Sequence, residues 1–380
     1  MDSPLRRLAV LGSTGSIGQQ TLEIARAFPE RLKVVGLAAG QSIALLSQQV
    51  SEFDPISVSF QGQTAKEDLV QRRLPIEEVA SHHEVDMTVV ATSGKAGLAP
   101  TLAAIRAGKT IALANKEVLV MAGAIITGEA RRCGVEIVPI DSEHSAIWQC
   151  LRGEEDVEIS RIILTASGGA FRDWTLEDLA EVTPEEALKH PTWRMGQKVT
   201  VDSATLMNKG MEVIEAHWLF GLPFHQIQVV MHRESILHSM VEFKDGSVKA
   251  QLSCPDMRLP IQYALSYPER WGNPDLPTLD LKEVGNLSFW PVDLDRYPCL
   301  RLALEAGERG GTYPAVLCAA DEVGVASFLQ GRIGFLDIAR VVDRALSQHR
   351  VIESPSLDDI LAADAWARTV AYEWSEQLCL

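Results

Sequence analysis

Apolar residues in the first 150 positions come in short runs separated by longer stretches with helical spacing. Leu8-Ala9-Val10-Leu11 is too short for a helix and suits a buried strand. A glycine-rich loop follows, and Ile17, Leu22, Ala25 and Phe28 then fall on one helical face. The strand pattern recurs at 33–38, 56–60, 87–91, 110–113 and 135–140, and 98–107 reads as a helix closed by Gly108. Buried runs alternating with helices predict an α/β fold with a Rossmann-like parallel sheet at the N-terminus.

Beyond position 150 the pattern changes to mixed α+β. Strands are expected at 161–165 and 228–231, and 241–243 and 248–250 alternate around Asp245-Gly246, a hairpin signal. The proline-rich stretch 272–291 reads as a linker. The last ninety or so residues are helical: Phe335, Ile338, Val342 and Leu346 share one spacing, and Trp366, Val370, Trp374 and Leu378 another, after a cap at Ser356. The expected division is a nucleotide-binding domain at 1–149, a central catalytic domain at 150–285, and a linker end with a C-terminal helical bundle at 286–380.

Composition narrows the function classes. The formal net charge of −16 argues against nucleic acid and anionic membrane as partners. No apolar run is long enough to span a bilayer, and Arg6-Arg7 precedes too short an apolar run for a signal peptide. The six cysteines, Cys133, Cys150, Cys254, Cys299, Cys318 and Cys379, form no CxxC pair and read as reduced thiols of a cytoplasmic protein.

Several segments carry chemistry. Gly12-Ser13-Thr14-Gly15-Ser16-Ile17-Gly18 joins the first strand to the first helix, where glycines admit a pyrophosphate and the helix N-terminus offers free N–H groups. The second strand ends Ala39-Gly40-Gln41-Ser42 without an acid, which favours a cofactor with a 2′-phosphate over one with a free ribose hydroxyl. Asn115-Lys116-Glu117 follows another strand, at the end of the sheet where ligands bind. Asp141 and Glu143 are two positions apart, so in extended chain both carboxylates point the same way; a hard cation such as Mg²⁺ or Mn²⁺, or an ordinary helix N-cap, explains them equally. In 201–215, Asn208, Lys209 and Glu212 stack within one helical turn, as a phosphate site or as a surface ion pair. From Lys189 to Lys209 there are four Lys/Arg and His190 against a single acid, Asp202. Ser167-Gly168-Gly169 is a second glycine turn, and the segment from His190 through Trp193 to Gly196 and Lys198 has the composition of a lid.

Together these segments resemble the 1-deoxy-D-xylulose 5-phosphate reductoisomerase family. The matching stretches are LGSTGSIG at 11–18, LANKE at 113–117, PIDSEHSAIWQ at 139–149, TASGGAF at 165–171, HPTWRMGQK at 190–198, VDSATLMNKGMEVIEA at 201–216, HSMVEFKDGSVKAQL at 238–252 and PDMRLPI at 255–261. The resemblance implies an NADPH-binding domain, a central domain that catalyses and forms a homodimer, and a helical C-terminal part. It implies Thr14, Gly15, Ser16, Ile17, Gly40, Gln41, Ser42, Asn115, Glu117 and Gly196 near NADPH. It implies Asp141, Glu143 and Glu212 as ligands of Mn²⁺, Mg²⁺ or Co²⁺, and Lys116, Ser142, Glu143, Ser167, His190, Ser203, Asn208, Lys209 and Glu212 around the substrate. Lys116, Asp141, Glu143 and Glu212 would form the catalytic set. Gln41-Ser42 stands where some members have Lys-Asn, and Cys318 and Asp321 where others often carry Asn.

The implied reaction converts 1-deoxy-D-xylulose 5-phosphate to 2-C-methyl-D-erythritol 4-phosphate, by skeletal rearrangement and then reduction, on the route to isoprenoid precursors. Two other readings predict different behaviour. A simple NADP-dependent dehydrogenase would work without metal. A nucleotide-sensing regulator would bind NADPH without turnover.

Overall fold

The computed structural model describes residues 5–62, 67–154 and 158–378, with the side chains of 67 and 68 excepted. Cys379 lies outside the described residues, and the other five cysteines form no disulfide. Two compact units are present. The first takes the chain up to Val118, then Ala124–Ser145 and Asp256–Pro277; the second takes Leu119–Gly123, Ala146–Pro255 and the chain from Thr278 onward.

The first unit is built on six parallel strands: β1 (Arg6–Leu11), β2 (Leu32–Ala39), β3 (Ser57–Phe60), β4 (Met87–Val90), β5 (Thr110–Leu113) and β6 (Ile137–Pro139). Their order is β3-β2-β1-β4-β5-β6. Leu8 to Leu11 are fully buried, as expected of a parallel strand covered on both faces. Three strands are shorter than the apolar runs suggested. Ile56 is exposed and lies before β3, β4 stops before Ala91, and β6 omits Val135 and Ile140. The helices that matter for the site are α1 (Ser16–Ala27), α2 (Ile43–Phe53), α3 (Leu98–Arg106), α4 (Lys116–Cys133) and α5 (Ser142–Cys150). The order of the sheet reverses between β1 and β4, so loops at the carboxyl ends of the strands border a crevice there.

Residues 256–277, expected within the central domain, belong to this first unit. The Arg6 guanidinium donates to the carbonyls of Leu265 (2.5 Å) and Tyr267 (3.1 Å), at the end of the returning helix Arg258–Ser266. A cation at a helix C-terminus meets the negative end of its dipole. Arg31 also pairs with Glu269 at 2.8 Å. The basic residue opening the first strand therefore anchors a segment some 260 positions away.

The second unit holds a mixed sheet of β7 (Ile159–Ala166), β8 (Ile227–Met231), β9 (Leu237–Phe243), β10 (Val248–Leu252) and β11 (Trp290–Pro291), in the order β10-β9-β7-β8-β11. Only β7 and β8 are parallel. The expected hairpin is β9–β10. Gly246 adopts φ +86° and Asp245 Oδ1 accepts from the Ser247 amide at 2.9 Å, making a three-residue loop with glycine in its left-handed position. The end of the expected linker is instead strand β11, whose proline is tolerated because it lies at the sheet edge.

Helices α6 (Gln197–Thr205) and α7 (Met207–Phe220) follow, and Val213 and Ala216 of α7 pack with Ile162, Leu164 and Val241 of the sheet. The C-terminal helices are α8 (Pro298–Arg309), α9 (Tyr313–Leu329), α10 (Asp337–Gln348) and α11 (Leu357–Leu378). In α11 the expected stripe of Trp366, Val370, Trp374 and Leu378 is only half-buried. The fully buried face is Ile360, Ala367 and Ala371, because small side chains let α11 approach α9 closely. Ser356 caps α11 as expected, accepting from the Asp359 amide at 3.2 Å.

Candidate active site

In the first unit every predicted site residue sits at the carboxyl end of a parallel strand. Gly12 has φ +84°, and a Cβ there would meet the Ala91 carbonyl oxygen at 2.3 Å; one on Gly18 would meet the Gly12 carbonyl at 2.2 Å. Only glycine allows β1, the loop and α1 to approach so closely. Gly15 caps α1 with no side-chain bond to its amides, and Gly15 and Ser16 are exposed. The first turn of α1 thus keeps donors available for a phosphate. Ser13 does not face outward: its hydroxyl donates to Gln49 Oε1 at 2.7 Å, and Gln49 Nε2 donates back to its carbonyl at 2.9 Å. This buried tie to α2 fixes the loop, and nothing in the spacing of the glycines foretold it.

Gly40, Gln41 and Ser42 are exposed after β2. Asn115 is buried and serves structure directly. It caps α4 through the Val118 amide and donates to Thr92 Oγ1 (3.1 Å) and the Gly94 carbonyl (2.9 Å), linking the loops after β4 and β5. Lys116 opens α4 and places Nζ 2.9 Å from Asp141 Oδ2.

Asp141 and Glu143 are not in extended chain. Asp141 precedes α5, with its carbonyl accepting from the Ser145 amide at 2.8 Å, and Glu143 lies in the first turn. Their carboxylate oxygens nevertheless come within 4.8 Å of each other, through the helix start rather than strand alternation. Ser142 Oγ donates to Glu143 Oε2.

The second unit gathers the phosphate-type donors. Gly168 and Gly169 turn the chain after β7 at φ +84° and +67°, and a Cβ on Gly169 would lie 2.5 Å from Ala204 Cα. The Ser167 turn therefore packs backbone to backbone on α6 at Ser203–Ala204. Between α6 and α7, the buried Leu206 adopts φ +58°, an uncommon state for a branched residue. It is held by Ala166, Met231, Tyr297 and Leu300, and this elbow sets Ser203 at the end of one helix and Asn208 and Lys209 at the start of the next. Asn208 and Lys209 both donate to Glu212. Lys209 and Glu212 are 3% and 1% exposed, so this is a buried pair rather than the surface pair that spacing alone allowed. Gly196, predicted near the cofactor, is the N-cap of α6 in the second unit.

His190 Nδ1 accepts from the amides of Thr192 (3.1 Å) and Trp193 (2.9 Å), so its proton sits on Nε2, 3.0 Å from Ser167 Oγ. Ser167 Oγ also accepts from the Gly169 amide at 3.3 Å. Two donors into that oxygen leave the hydroxyl hydrogen to donate elsewhere, as an anion requires. Burial, and secondarily the charge of Arg172, lowers the His190 pKa to about 4. The unfolded value is higher, so the stability this group contributes is complete above about 6.5 and declines as pH falls toward 4. Ring ¹⁵N shifts should therefore report a neutral Nε2–H imidazole down to pH ~5. A titration midpoint near 6.5 would contradict this geometry.

The parallel sheet order, the glycine-walled helix start and the anion donors define a dinucleotide-dependent oxidoreductase of a small anionic substrate. Comparison with known proteins specifies the family. Family models match residues 8–123 (1-deoxy-D-xylulose 5-phosphate reductoisomerase), 137–220 (its C-terminal domain) and 252–370 (DXP reductoisomerase C-terminal domain). The 1-deoxy-D-xylulose 5-phosphate reductoisomerase of Desulforamulus reducens is 53% identical, covering 97% of this chain and 98% of the relative. That of Geobacillus kaustophilus is 52% identical, covering 96% and 98%. The chain is similar to a DOX-P reductoisomerase crystallised with NADPH, fosmidomycin and magnesium (TM-score 0.91, 40% identity, 98% and 99% coverage). It is also similar to the Zymomonas mobilis reductoisomerase with NADPH (TM-score 0.90, 40% identity, 99% and 100% coverage). The chain belongs to the 1-deoxy-D-xylulose 5-phosphate reductoisomerase family.

Proposed function

We propose that this chain rearranges and reduces 1-deoxy-D-xylulose 5-phosphate to 2-C-methyl-D-erythritol 4-phosphate, on the route to isoprenoid precursors, with NADPH and a divalent cation. The observation that carries the reading is the cluster of Ser167, Ser203, Asn208 and Lys209, set by a glycine turn and a left-handed elbow on α6 and α7. A sugar phosphate needs such donors at its anionic end.

The residues present fit both groups the reaction uses. A Cβ would fill the space at Gly12 and Gly18, where the backbone packs too tightly for any other residue, and the α1 amides beside them suit a pyrophosphate. Asp141, Glu143 and Glu212 offer hard carboxylate oxygens for Mg²⁺, Mn²⁺ or Co²⁺. In this state Lys116 lies against Asp141 and Lys209 against Glu212, ammonium groups compensating charge that a cation would share. When bound, such a cation would polarise the oxygens of the substrate, and NADPH would supply the reducing equivalent.

The chain's own residues do the rest. Ser167, oriented by His190, donates its free hydroxyl hydrogen to the phosphate with Ser203, Asn208 and Lys209. The phosphate competes with Glu212 for the donors of Asn208 and Lys209, so binding at one end of the substrate resets the carboxylate at the other. Lys116 Nζ, beside Asp141, is the group that carries a proton to or from the reacting oxygens, with Ser142 adjacent. Residues 190–198 close over the substrate as a lid. We assign nucleotide binding to 1–149, catalysis and homodimer formation to 150–285, and support from the helical bundle to 286–380. The site is cytoplasmic in this reading. Among the described residues no helix is long and apolar enough to cross a membrane.

The test is NADPH oxidation by the purified chain with 1-deoxy-D-xylulose 5-phosphate. Turnover should require substrate and Mn²⁺ and stop with a chelator. Undiminished turnover in chelator would favour a metal-free dehydrogenase, and NADPH binding without turnover would favour a regulator.

The coenzyme preference has its own test. Gln41 is exposed, and among the described residues only its backbone carbonyl is engaged, by the Ile43 amide at 2.9 Å. Gln41→Lys should leave the turn intact and lower the NADPH Kd about fivefold, about 1 kcal/mol for a solvent-exposed ion pair. Equal kcat/KM for NADH and NADPH in the parent protein would refute the assignment.

A further inference from the structure

The turn that ends β2 carries no charged residue. Gly40-Gln41-Ser42 brings a backbone, an amide and a hydroxyl to the place where the adenosine ribose of a dinucleotide binds. Such a turn lacks the acid that would hold a free ribose 2′-hydroxyl, but it also lacks the cation that suits a 2′-phosphate. A guanidinium from elsewhere in the same unit stands one strand away.

β3 lies beside β2 with Phe60 opposite Ala39, so the two strands finish level. The Gln61 amide donates to the Gly40 carbonyl at 3.1 Å and ties the end of β3 to the turn. Residues 72–74 also run along β3. The Val58 amide donates to the Arg72 carbonyl and the Leu74 amide to the Val58 carbonyl, which sets Arg73 opposite Val58. From there the two arginines part. Arg72 reaches the amino end of β3, where Nη1 donates to Asp54 Oδ1 (2.7 Å) and the Pro55 carbonyl (2.6 Å). Arg73 reaches the carboxyl end. Its Nη2 donates to the Phe60 carbonyl at 3.0 Å, and its Cζ lies 4.4 Å from the centre of the Phe60 ring. A guanidinium stacked on a ring and bonded through one nitrogen is fixed in place with N–H groups to spare. Arg73 is exposed, and among the described residues no carboxylate pairs with it.

We propose that Arg73 makes this chain select NADPH over NADH, its guanidinium taking the 2′-phosphate of a dinucleotide held at Gly40-Gln41-Ser42. This role rests on the NADPH-dependent reading above and supplies the cation that the turn lacks. Guanidinium and phosphate match in charge and in the spacing of paired N–H donors. Because Arg73 is already docked on Phe60, little side-chain freedom is lost when the coenzyme binds. A coenzyme without the 2′-phosphate gains nothing from the contact, so the effect is confined to one of the two.

Equilibrium titration of the whole chain with NADPH and with NADH tests this without turnover. Arg73→Gln keeps an amide donor for the Phe60 carbonyl but removes the charge. It should weaken NADPH binding roughly 10–100-fold, the range for hydrogen bonds to a charged group, and leave the NADH Kd within about twofold. Arg73→Lys keeps the charge without the planar fork and should fall between. Added salt should weaken NADPH binding less in Arg73→Gln than in the parent. Both variants should melt close to the parent, since the side chain is exposed. If the parent prefers NADPH and Arg73→Gln keeps the same NADPH-to-NADH ratio, whether both affinities hold or both fall, the role of Arg73 alone is overturned. If the parent binds the two coenzymes alike, the NADPH reading itself fails and the role of Arg73 with it.

Discussion

Glu212→Gln should lose more than a hundredfold in Mn²⁺ affinity, beyond the ~10–100-fold typical of a residue one step from the metal. The substitution keeps the side chain's shape and one carbonyl acceptor but removes the charge. The structure adds a second consequence that spacing alone did not reveal. Glu212 receives the ammonium of buried Lys209 and the amide of Asn208, so its neutralisation also removes a counter-charge next to Lys209. Removing one member of a buried pair typically costs about 3–5 kcal/mol. The variant should therefore remain folded by circular dichroism yet melt several degrees lower, and bind NADPH as the parent does. Both the rearrangement and the reduction of separately supplied branched aldehyde should fall together, because the same carboxylate serves both. Normal Mn²⁺ binding, measured by electron paramagnetic resonance, with parental aldehyde reduction would exclude Glu212 from the metal.

Gly169→Ala is expected to be nearly as damaging, for a different reason. The position has φ +67°, where an L-residue pays roughly 1–2 kcal/mol, and the new methyl would meet Ala204 backbone atoms at 2.5–2.6 Å. Backbone cannot yield as a flexible side chain does, so the turn must move off α6. A total loss of about 2–4 kcal/mol follows, together with separation of Ser167 from Ser203. KM for the sugar phosphate should rise at least tenfold while NADPH affinity holds. Gly128→Ala is the control, since it lies in α4 with nothing within 4 Å of the new methyl and should be neutral or slightly stabilising. Equal effects in the two variants would show that the close approach at Gly169 does not position the donors.

The parallel sheet was legible because its strands are buried on both faces, so each appears as an uninterrupted apolar run between glycine or helical punctuation. The hairpin at Asp245-Gly246 was legible from turn chemistry. What escaped was long-range. Nothing local marks Arg6 as the partner of Leu265 and Tyr267, so the return of 256–277 to the first unit was invisible. Leu206 in a left-handed state contradicts local propensity and is imposed by its core neighbours, so no sequence rule would place the α6–α7 elbow. The face of α11 was misread because alanines, which bury little area each, make the closest packing. The tight turn at Gly12–Gly18 and the stacking of Asn208, Lys209 and Glu212 on one helical turn were legible from residue type and spacing. Of the two arrangements that the spacing of Asp141 and Glu143 left open, the helix start is the one observed, and it is what brings the two carboxylates together.

The central claim is that one site both rebuilds the carbon skeleton and reduces it. Substrate carrying ¹³C at its ketone carbon distinguishes this from simple reduction in a single spectrum. With the chain, NADPH and Mn²⁺, the label should finish on a carbon bearing the methyl and hydroxyl groups but no hydrogen, with one NADPH consumed per product. A labelled carbon bearing one hydrogen, the product of direct ketone reduction, would contradict the account.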